Sequence, residues 1–245
     1  MRAAILALFS LFGADDAPAS DCARGSFEGV PYTACTIDPA AEDLRLFLRD
    51  GDGRVWGGFG RLDEALRAGG GRLGVAMNGG MYHTDRRPVG LYVEDGEEAQ
   101  GLVTREGPGN FGLMPNGVFC LADDAARVMT TETFAAERPA CRFASQSGPM
   151  LVIGGDLHPR FLEGSDSRFV RNGVGVRPDG KVVMAISDAA VNFHTFARLF
   201  RDALGAPDAL YIDGKVSRLY APALGRTDPI GLPLGPILGT VVPAD

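Results

Sequence analysis

Positive charge is scarce in this sequence. The chain has 24 Lys and Arg residues against 31 Asp and Glu residues in 245 positions, giving a net charge of −7. Because no basic run stands out, a nucleic-acid partner, which requires a basic face, is disfavoured. Hydrophobic residues make up 45% and charged residues 22% of the chain. These fractions are ordinary for a globular protein, and the length suits a single core.

Motifs for metals, nucleotides and cofactors are also missing. The chain contains no H-E-x-x-H, P-loop, EF-hand or dinucleotide fingerprint, so we expect neither a metal site nor a cofactor. It has three histidines and no G-x-S-x-G segment. Both features disfavour a Ser-His-Asp triad.

The four cysteines lack the C-x-x-C spacing of a zinc site. An even number of cysteines in a secreted chain suggests two disulfides, and four cysteines allow three pairings. We favour Cys22 with Cys35 and Cys120 with Cys141, because each pair closes a short local loop. A cysteine nucleophile is the less favoured alternative.

The one conspicuous apolar run lies at the N-terminus. A basic residue at position 2 precedes an almost wholly apolar stretch from 3 to 13, and small residues follow. This pattern predicts a secretion signal over 1–20, and the run is too short to span a bilayer as a stable helix. The alternative is an irregular N-terminus of a cytosolic protein, without a signal function. We therefore expect a periplasmic or secreted protein without stable membrane insertion, with one domain over 21–245 and a possible N-terminal extension over 21–60.

Strand patterns outnumber helix patterns along the chain, and several neighbouring strands look hairpin-linked. We predict a single domain of the α+β class, with a central antiparallel or mixed β-sheet and a few packed helices. Helices are expected over 62–68 and from the cap Asn192 to Gly205. The predicted strands are 29–37, 44–49, 73–77, 89–93, 117–121, 126–130, 150–153, 173–177, 181–187 and 209–212.

Polar residues at strand ends are the candidate site residues. Asp213 and Gly214 follow a buried apolar run, and the hydroxyl of Ser217 comes four positions after Asp213. A rigid sheet can hold such a carboxylate still while the loop leaves it reachable. An ordinary Asp-Gly hairpin turn is the alternative.

Three further segments carry amides, hydroxyls or a cation into turns. Asn78 and Gly79 end one strand, and Tyr82 follows as a ring on which a sugar could stack. The second of these segments reads Gln146-Ser147-Gly148-Pro149 and is expected to be a turn that hydrogen-bonds substrate. Arg171 and Asn172 precede another strand, where a guanidinium suits the binding of phosphate.

Taken together, these segments resemble the phosphodiester glycosidase family, whose bacterial members are often linked to exopolysaccharide biosynthesis. The resemblance runs from Leu73 to Tyr220 and keeps the order of the motifs. It implies cleavage of the bond between a sugar anomeric carbon and a phosphate oxygen. Lys215 stands where the family pattern has glycine. The matching site positions are Asn78, Gly79, Arg171, Asn172, Asp213, Gly214 and Ser217.

The resemblance implies roles for these residues in hydrolysis of a carbohydrate or phosphoglycan. We expect Asp213 at the anomeric centre, because this reaction builds oxocarbenium character, and Arg171 on the phosphate. Binding of sugar or phosphate oxygens is expected from Asn78, Gly79, Tyr82, Gln146, Ser147, Asn172, Gly214 and Ser217. For a second carboxylate, Asp188 is the nearest pattern match, and Glu94, Glu132 and Asp166 stay open.

Two other functions remain open at this point. A non-catalytic envelope protein could bind a glycan or phosphoglycan on the same platform. A phosphodiesterase would instead cut the P–O bond.

Overall fold

The computed structural model describes residues 20–244, so the predicted secretion signal over 1–20 lies outside it except for Ser20. The described residues form sixteen β-strands. They are β1 (Asp21–Phe27), β2 (Val30–Ile37), β3 (Asp43–Phe47), β4 (Gly71–Asn78), β5 (Tyr92–Glu94), β6 (Glu97–Gln100), β7 (Gly117–Leu121), β8 (Ala126–Thr130), β9 (Phe143–Ser147), β10 (Met150–Ile153), β11 (Asp156–Leu157), β12 (Asn172–Val176), β13 (Val182–Ser187), β14 (Asp208–Asp213), β15 (Leu219–Tyr220) and β16 (Ile237–Pro243).

Helices are few and short. They are α1 (Phe59–Ala68), α2 (Thr131–Glu137) and α3 (Phe193–Arg198), together with one 3-10 turn over Pro222–Leu224. Helix α3 runs into a π-helical turn over Leu199–Ala203. The side chain of Asn192 caps α3 by accepting a hydrogen bond from Thr195 N, as its position before the apolar period predicts. No helix among residues 20–244 is long and apolar enough to cross a membrane.

The strands form three sheets. The largest has the order β1-β2-β13-β12-β14-β10-β11, the second β15-β4-β16-β3, and the third β6-β5-β9-β7-β8. Every strand pair between them is antiparallel. With three sheets and few, short helices, the fold is richer in sheet than the expected α+β class. Its sheets are antiparallel rather than mixed.

One hydrophobic core joins the three sheets. It contains Met184 and Leu210 from the first sheet, Met77 from the second and Phe119 from the third. On the opposite face of the first sheet, α3 and the π-helical turn bury Phe196 and Phe200. Strands β1 and β2 pair with each other and β2 with β13, so residues 21–37 are an integral part of the largest sheet.

Both predicted disulfides, Cys22–Cys35 and Cys120–Cys141, are present. Cys22 and Cys35 lie directly opposite each other in the β1–β2 ladder. Disulfides are typical of proteins that fold outside the reducing cytosol.

Most predicted strands and both predicted helices are present, with small shifts at their ends, but seven elements were missed. They are β1, β6, α2, β9, β11, β15 and β16. The expectation of a turn at Gln146 and Ser147 was wrong, because both belong to β9, whose five residues are all buried in the middle of the third sheet. A strand buried on both faces lacks the alternation of polar and apolar residues that identifies a half-exposed strand.

Candidate active site

Asp213 is the last residue of β14, in the middle of the largest sheet. The pairing of β14 with β12 is irregular here: Asn172 lies opposite Asp213, whereas Gly173 lies opposite Tyr211. Such a β-bulge redirects the side chains at a strand end and is common beside active sites. It brings Asp213 into the turn that follows the strand.

Backbone amides hold the Asp213 carboxylate in place. Its Oδ1 accepts hydrogen bonds from the amides of Gly214 at 2.5 Å, Lys215 at 2.6 Å and Val216 at 3.4 Å. Three donors on one oxygen fix the orientation of the carboxylate before any ligand arrives. The turn is tight, since a Cβ added at Gly214 would lie 2.2 Å from the Tyr211 hydroxyl.

The end of β4 supports this turn from the second sheet. The buried side chain of Asn78 donates to the Val216 carbonyl at 2.7 Å and accepts from the Arg218 amide at 2.8 Å. Gly79 follows with its amide on the Pro236 carbonyl at 2.8 Å. Asn78 therefore positions the segment that carries Asp213, and Gly79 ties the end of β4 to the segment before β16.

Asp213 opens into a cleft of about 490 Å³. It is the one carboxylate among the described residues that line this cleft, and Arg86, Lys215 and His83 are the basic side chains. The lining residues are Met81, Tyr82, His83, Thr84, Arg86, Val89, Gly109, Asn110, Tyr211, Asp213, Gly214, Lys215, Val216 and Leu232.

Tyr82 forms part of one wall of the cleft. Its hydroxyl donates to the Pro233 carbonyl at 3.0 Å, and the Arg86 guanidinium carbon lies 4.9 Å from its ring centre. Burial and the nearby charge of Asp213 raise the pKa of Tyr82, while Arg86 and Arg218 oppose that rise. Tyr82 therefore stays neutral around pH 7 and offers an aromatic surface near the carboxylate.

Tyr211 is buried at 2% exposure and also contacts the cleft. Burial raises its pKa strongly; Arg171 acts in the opposite direction, Asp213 raises the pKa further, and Asn110 lowers it. The hydroxyl is therefore a neutral hydrogen-bonding group beside Asp213. Neither Tyr211 nor Asn110 was among the candidates drawn from the sequence, although Tyr211 stands two residues before Asp213 on the same strand.

Arg171 does not line the cleft, but its guanidinium carbon lies 5.5 Å from the ring centre of the lining residue Tyr211. Its side chain is fully buried, with Nε donating to the Val191 carbonyl and Nη2 to the Ser167 carbonyl, each at 2.9 Å. Burial lowers its pKa, and Tyr211 counteracts that effect. Its Nη1 is buried without a hydrogen-bond partner among residues 20–244, and the contact of Arg171 with phosphate stays a prediction. The bonds of Nε and Nη2 tie the loop over 158–170 to the segment that precedes α3.

Three of the remaining candidates lie below the surface of the turn or the sheet. The side-chain oxygen of Gln146 accepts hydrogen bonds from the amides of Leu91 and Val103. Its side-chain nitrogen donates to the Val103 carbonyl and the Thr131 hydroxyl. Ser147 donates to the Ile212 carbonyl at 3.3 Å. None of Gln146, Ser147 and Asn172 lines the cleft.

Asn172 and Ser217 remain close to Asp213. Asn172 is fully buried, and neither its amide nitrogen nor its oxygen has a hydrogen-bond partner among residues 20–244. The Ser217 hydroxyl lies 3.1 Å from the Val170 carbonyl and 3.0 Å from that of Asp213. Ser217 therefore connects the Asp213 turn with the loop before β12.

The expected second carboxylates do not join Asp213 in the cleft. Asp188 accepts from the Thr33 hydroxyl at 2.8 Å and is paired with Arg226. Glu94 accepts from the Tyr92 hydroxyl at 2.6 Å, and burial raises its pKa. Glu132 and Asp166 are not among the lining residues either. In residues 20–244, no group of three or more His, Cys, Asp or Glu side chains is arranged to hold a metal ion.

Comparison with known proteins assigns the chain to a class. A family model described as phosphodiester glycosidase matches residues 72–229, which is more than half of the chain. The protein therefore belongs to the phosphodiester glycosidase family.

Individual proteins are also similar to this chain. The chain is 35% identical over 202 residues to the uncharacterized protein YigE of Escherichia coli strain K12, covering 82% of this chain and 78% of YigE. The solved catalytic domain of zebrafish N-acetylglucosamine-1-phosphodiester alpha-N-acetylglucosaminidase has a TM-score of 0.63 at 13% identity, with coverage of 93% and 85%. The crystal structure of a hypothetical protein from Synechocystis has a TM-score of 0.61 at 15% identity. That match covers 93% of this chain but 64% of the Synechocystis protein. At such identities the two structures show a shared fold.

Proposed function

We propose that this protein is an extracytoplasmic hydrolase that cleaves the anomeric C–O bond of a sugar-1-phosphodiester. The observation that carries the proposal is the placement of Asp213. Three backbone amides hold this carboxylate, and it shares its cleft with the cationic side chains of Arg86 and Lys215. A fixed negative charge beside two cations matches a substrate that develops positive charge on its sugar and carries negative charge on its phosphate.

The proposed reaction separates these charges. As the anomeric C–O bond breaks, its electron pair leaves with the phosphate oxygen, and the sugar gains oxocarbenium character. Asp213 stabilises that cation or attacks it, and water finally adds its oxygen to the anomeric carbon. One proton of the water ends on the released phosphomonoester. Because the leaving group is a phosphomonoester, which is a stable anion, a second carboxylate as proton donor is not required.

The side chains around Asp213 then have distinct proposed roles. Arg86 and Lys215 bind the phosphate, taking the place that the sequence suggested for Arg171. Tyr82 offers its ring to the sugar, and Tyr211 offers a neutral hydroxyl. The buried Asn78 and Arg171 act as positioning residues for the turn and the neighbouring loop.

The substrate is proposed to be envelope or exopolysaccharide material outside the cytoplasm. The two disulfides support a periplasmic or secreted location. The phosphodiester group named for the zebrafish relative supports N-acetylglucosamine 1-(methyl phosphate) as a first test substrate.

Hydrolysis of that substrate in oxygen-18 water tests the proposal. Release of free sugar with the label on the sugar is expected, and label in the phosphate would overturn the assignment in favour of P–O cleavage. Asp213→Asn should lower kcat by about a thousandfold or more, as expected for loss of a group that stabilises transition-state charge. Asp123→Asn, an exposed aspartate between β7 and β8, is the matched control and should keep full turnover.

A non-catalytic glycan-binding protein is the second candidate. It is favoured by one observation, namely that a single carboxylate lines the cleft, whereas most glycosidases use two. Saturable binding of the phosphodiester with no release of sugar at any pH would decide for this alternative.

A further inference from the structure

Several exposed hydrophobic side chains of this protein lie beside the cleft or beside the turn that carries Asp213. Among residues 20–244 the large hydrophobic residues that stay exposed lie on two loops only. They are Leu162, Phe169 and Val170 on one loop, and Ile230 and Leu232 on the other. Scattered exposed hydrophobic residues are ordinary, but a contiguous group marks a binding surface.

Both loops contact the segment that carries Asp213. Phe169 lies beside Gly214, because a Cβ added at Gly214 would be 3.6 Å from the Phe169 Cβ. The carbonyl of Val170 lies 3.1 Å from the Ser217 hydroxyl. On the second loop, the Arg218 Nη2 donates to the Leu232 carbonyl at 2.8 Å. Leu232 itself lines the cleft.

Backbone hydrogen bonds hold both loops in place and keep these residues exposed. Phe169 pairs with Val191 through two backbone hydrogen bonds of 3.1 and 2.9 Å. The second loop is anchored by the fully buried Leu234, whose amide donates to the Gly57 carbonyl at 2.9 Å. Ile230 nevertheless stays 90% exposed and Leu232 65% exposed. Two anchored loops therefore hold hydrophobic side chains in water, which is unfavourable unless a ligand covers them.

The charged groups of the cleft adjoin this apolar rim. Lys215 follows Gly214, which lies beside Phe169, and Arg86 lines the same cleft as Leu232. A ligand that spans them needs a sugar near Asp213, a phosphate near the cations and hydrocarbon beyond the phosphate. An amphiphile with a phosphodiester head meets all three requirements.

We propose that the second ester of the substrate phosphate is a long-chain alcohol, so that the enzyme acts on lipid-linked sugar phosphates. This inference rests on the proposed phosphodiester glycosidase function and specifies its substrate class. Ile230, Leu232, Phe169 and Val170 bind the hydrocarbon chain. Hydrolysis releases free sugar and leaves the phosphomonoester of the long-chain alcohol.

A matched pair of substrates tests this inference on the full protein. We would compare N-acetylglucosamine 1-(methyl phosphate) with N-acetylglucosamine 1-(decyl phosphate), keeping the decyl ester below its critical micelle concentration. The kcat/KM for the decyl ester should exceed that for the methyl ester by about tenfold or more, because several methylenes leave water.

Variants of the rim then locate the contact. Leu232→Ser and Ile230→Ser should each lower the decyl-to-methyl ratio of kcat/KM toward one. Leu162→Ser is the control. Leu162 is 71% exposed, but it does not line the cleft and is not close in sequence to a lining residue, as Ile230 is to Leu232. Its ratio should stay at the wild-type value. A ratio that survives both rim substitutions would overturn the assignment.

The outcomes separate this inference from the function on which it rests. Equal kcat/KM for the two esters would overturn the lipid-linked substrate and leave the glycosidase function standing. If neither ester is hydrolysed, the glycosidase function fails. Calorimetric titration then tests whether the exposed hydrophobic residues bind the hydrocarbon chain, and equal affinities for the two esters would overturn that binding. Binding to phosphatidylglycerol vesicles without any preference for the decyl ester would instead identify a membrane-docking surface and contradict the proposal.

Discussion

The guanidinium carbon of Arg171 lies 3.6 Å from the centre of the Phe193 ring. The rings of Phe169 and Tyr211 are 5.4 and 5.5 Å from the same atom. A cation that is buried among aromatic faces and donates to two backbone carbonyls stabilises the fold. Arg171 thereby links the loop before β12, helix α3 and the cleft residue Tyr211.

Arg171→Lys is expected to destabilise the protein. A lysine ammonium cannot reproduce the planar fork that reaches the carbonyls of Val191 and Ser167. Loss of charged hydrogen bonds in a buried site should lower the free energy of unfolding by about 3 kcal/mol, measured by urea denaturation. Arg168→Lys, at an exposed neighbour, should change it little. Unchanged stability with a raised KM would instead restore the direct contact of Arg171 with phosphate.

Gly214→Ala should disrupt the Asp213 turn. The added Cβ would lie 2.2 Å from the Tyr211 hydroxyl, a contact that requires the turn or the ring to move. Because both belong to the cleft, we expect turnover to fall by about a hundredfold, as for misplacement of catalytic groups by an ångström. Steady-state kinetics measure this. Gly164→Ala, where a Cβ meets nothing within 4 Å, should retain wild-type rates.

Asn78→Ala should loosen the same turn from the other side. It leaves the Arg218 amide and the Val216 carbonyl without their buried partner, at a cost of about 1–3 kcal/mol. Thr240→Ala is the control, because the Thr240 hydroxyl also bonds β4, through the Val75 amide at 3.0 Å, but does not contact the turn. Both variants should melt earlier, and Asn78→Ala alone should lose kcat in the folded fraction. Equal kcat losses would argue against a positioning role.

Arg86→Ala and Lys215→Ala test the proposed phosphate contacts. Each should raise KM for a sugar-1-phosphodiester by about tenfold, the weight of a charge-assisted hydrogen bond. Added salt should narrow the difference from wild type. Arg87→Ala is the matched control, because Arg87 does not line the cleft and faces Asp85 at 3.6 Å. A KM that responds equally to all three substitutions would point to general electrostatics.

His158 predicts how stability depends on pH. It is buried at 1% exposure, and burial lowers its pKa below the usual 6.5, against a smaller opposing effect of the Met114 carbonyl. Below pH 6.5 the unfolded chain binds a proton that the folded chain does not, so the free energy of unfolding falls as pH drops.

The measurement is urea denaturation at pH 7.5 and pH 5. His158→Gln should reduce the difference between the two pH values, because glutamine does not titrate. An unchanged pH dependence in His158→Gln would assign the effect to other groups.

Local pattern was sufficient to predict much of this protein. The strand that ends at Asp213, the helix capped by Asn192 and the two disulfides depend on short-range spacing, which the chain displays directly. The order of the polar segments was also sufficient to identify the family resemblance. In contrast, β9 and β16 were missed, because strands buried inside a sheet carry no polar alternation.

Tertiary structure decided which side chains meet. Arg171 looked like a free cation in a polar loop, but the packing of α3 on the largest sheet buries it, while Arg86 and Lys215 reach the cleft. Gln146 and Ser147 lie inside a sheet because β5 and β7 pair on both sides of β9. Exposure and contact between distant segments depend on sheet order and register, which arise from the simultaneous packing of the whole chain. The sequence by itself therefore determined the family resemblance and the carboxylate, and only the folded structure decided what surrounds that carboxylate.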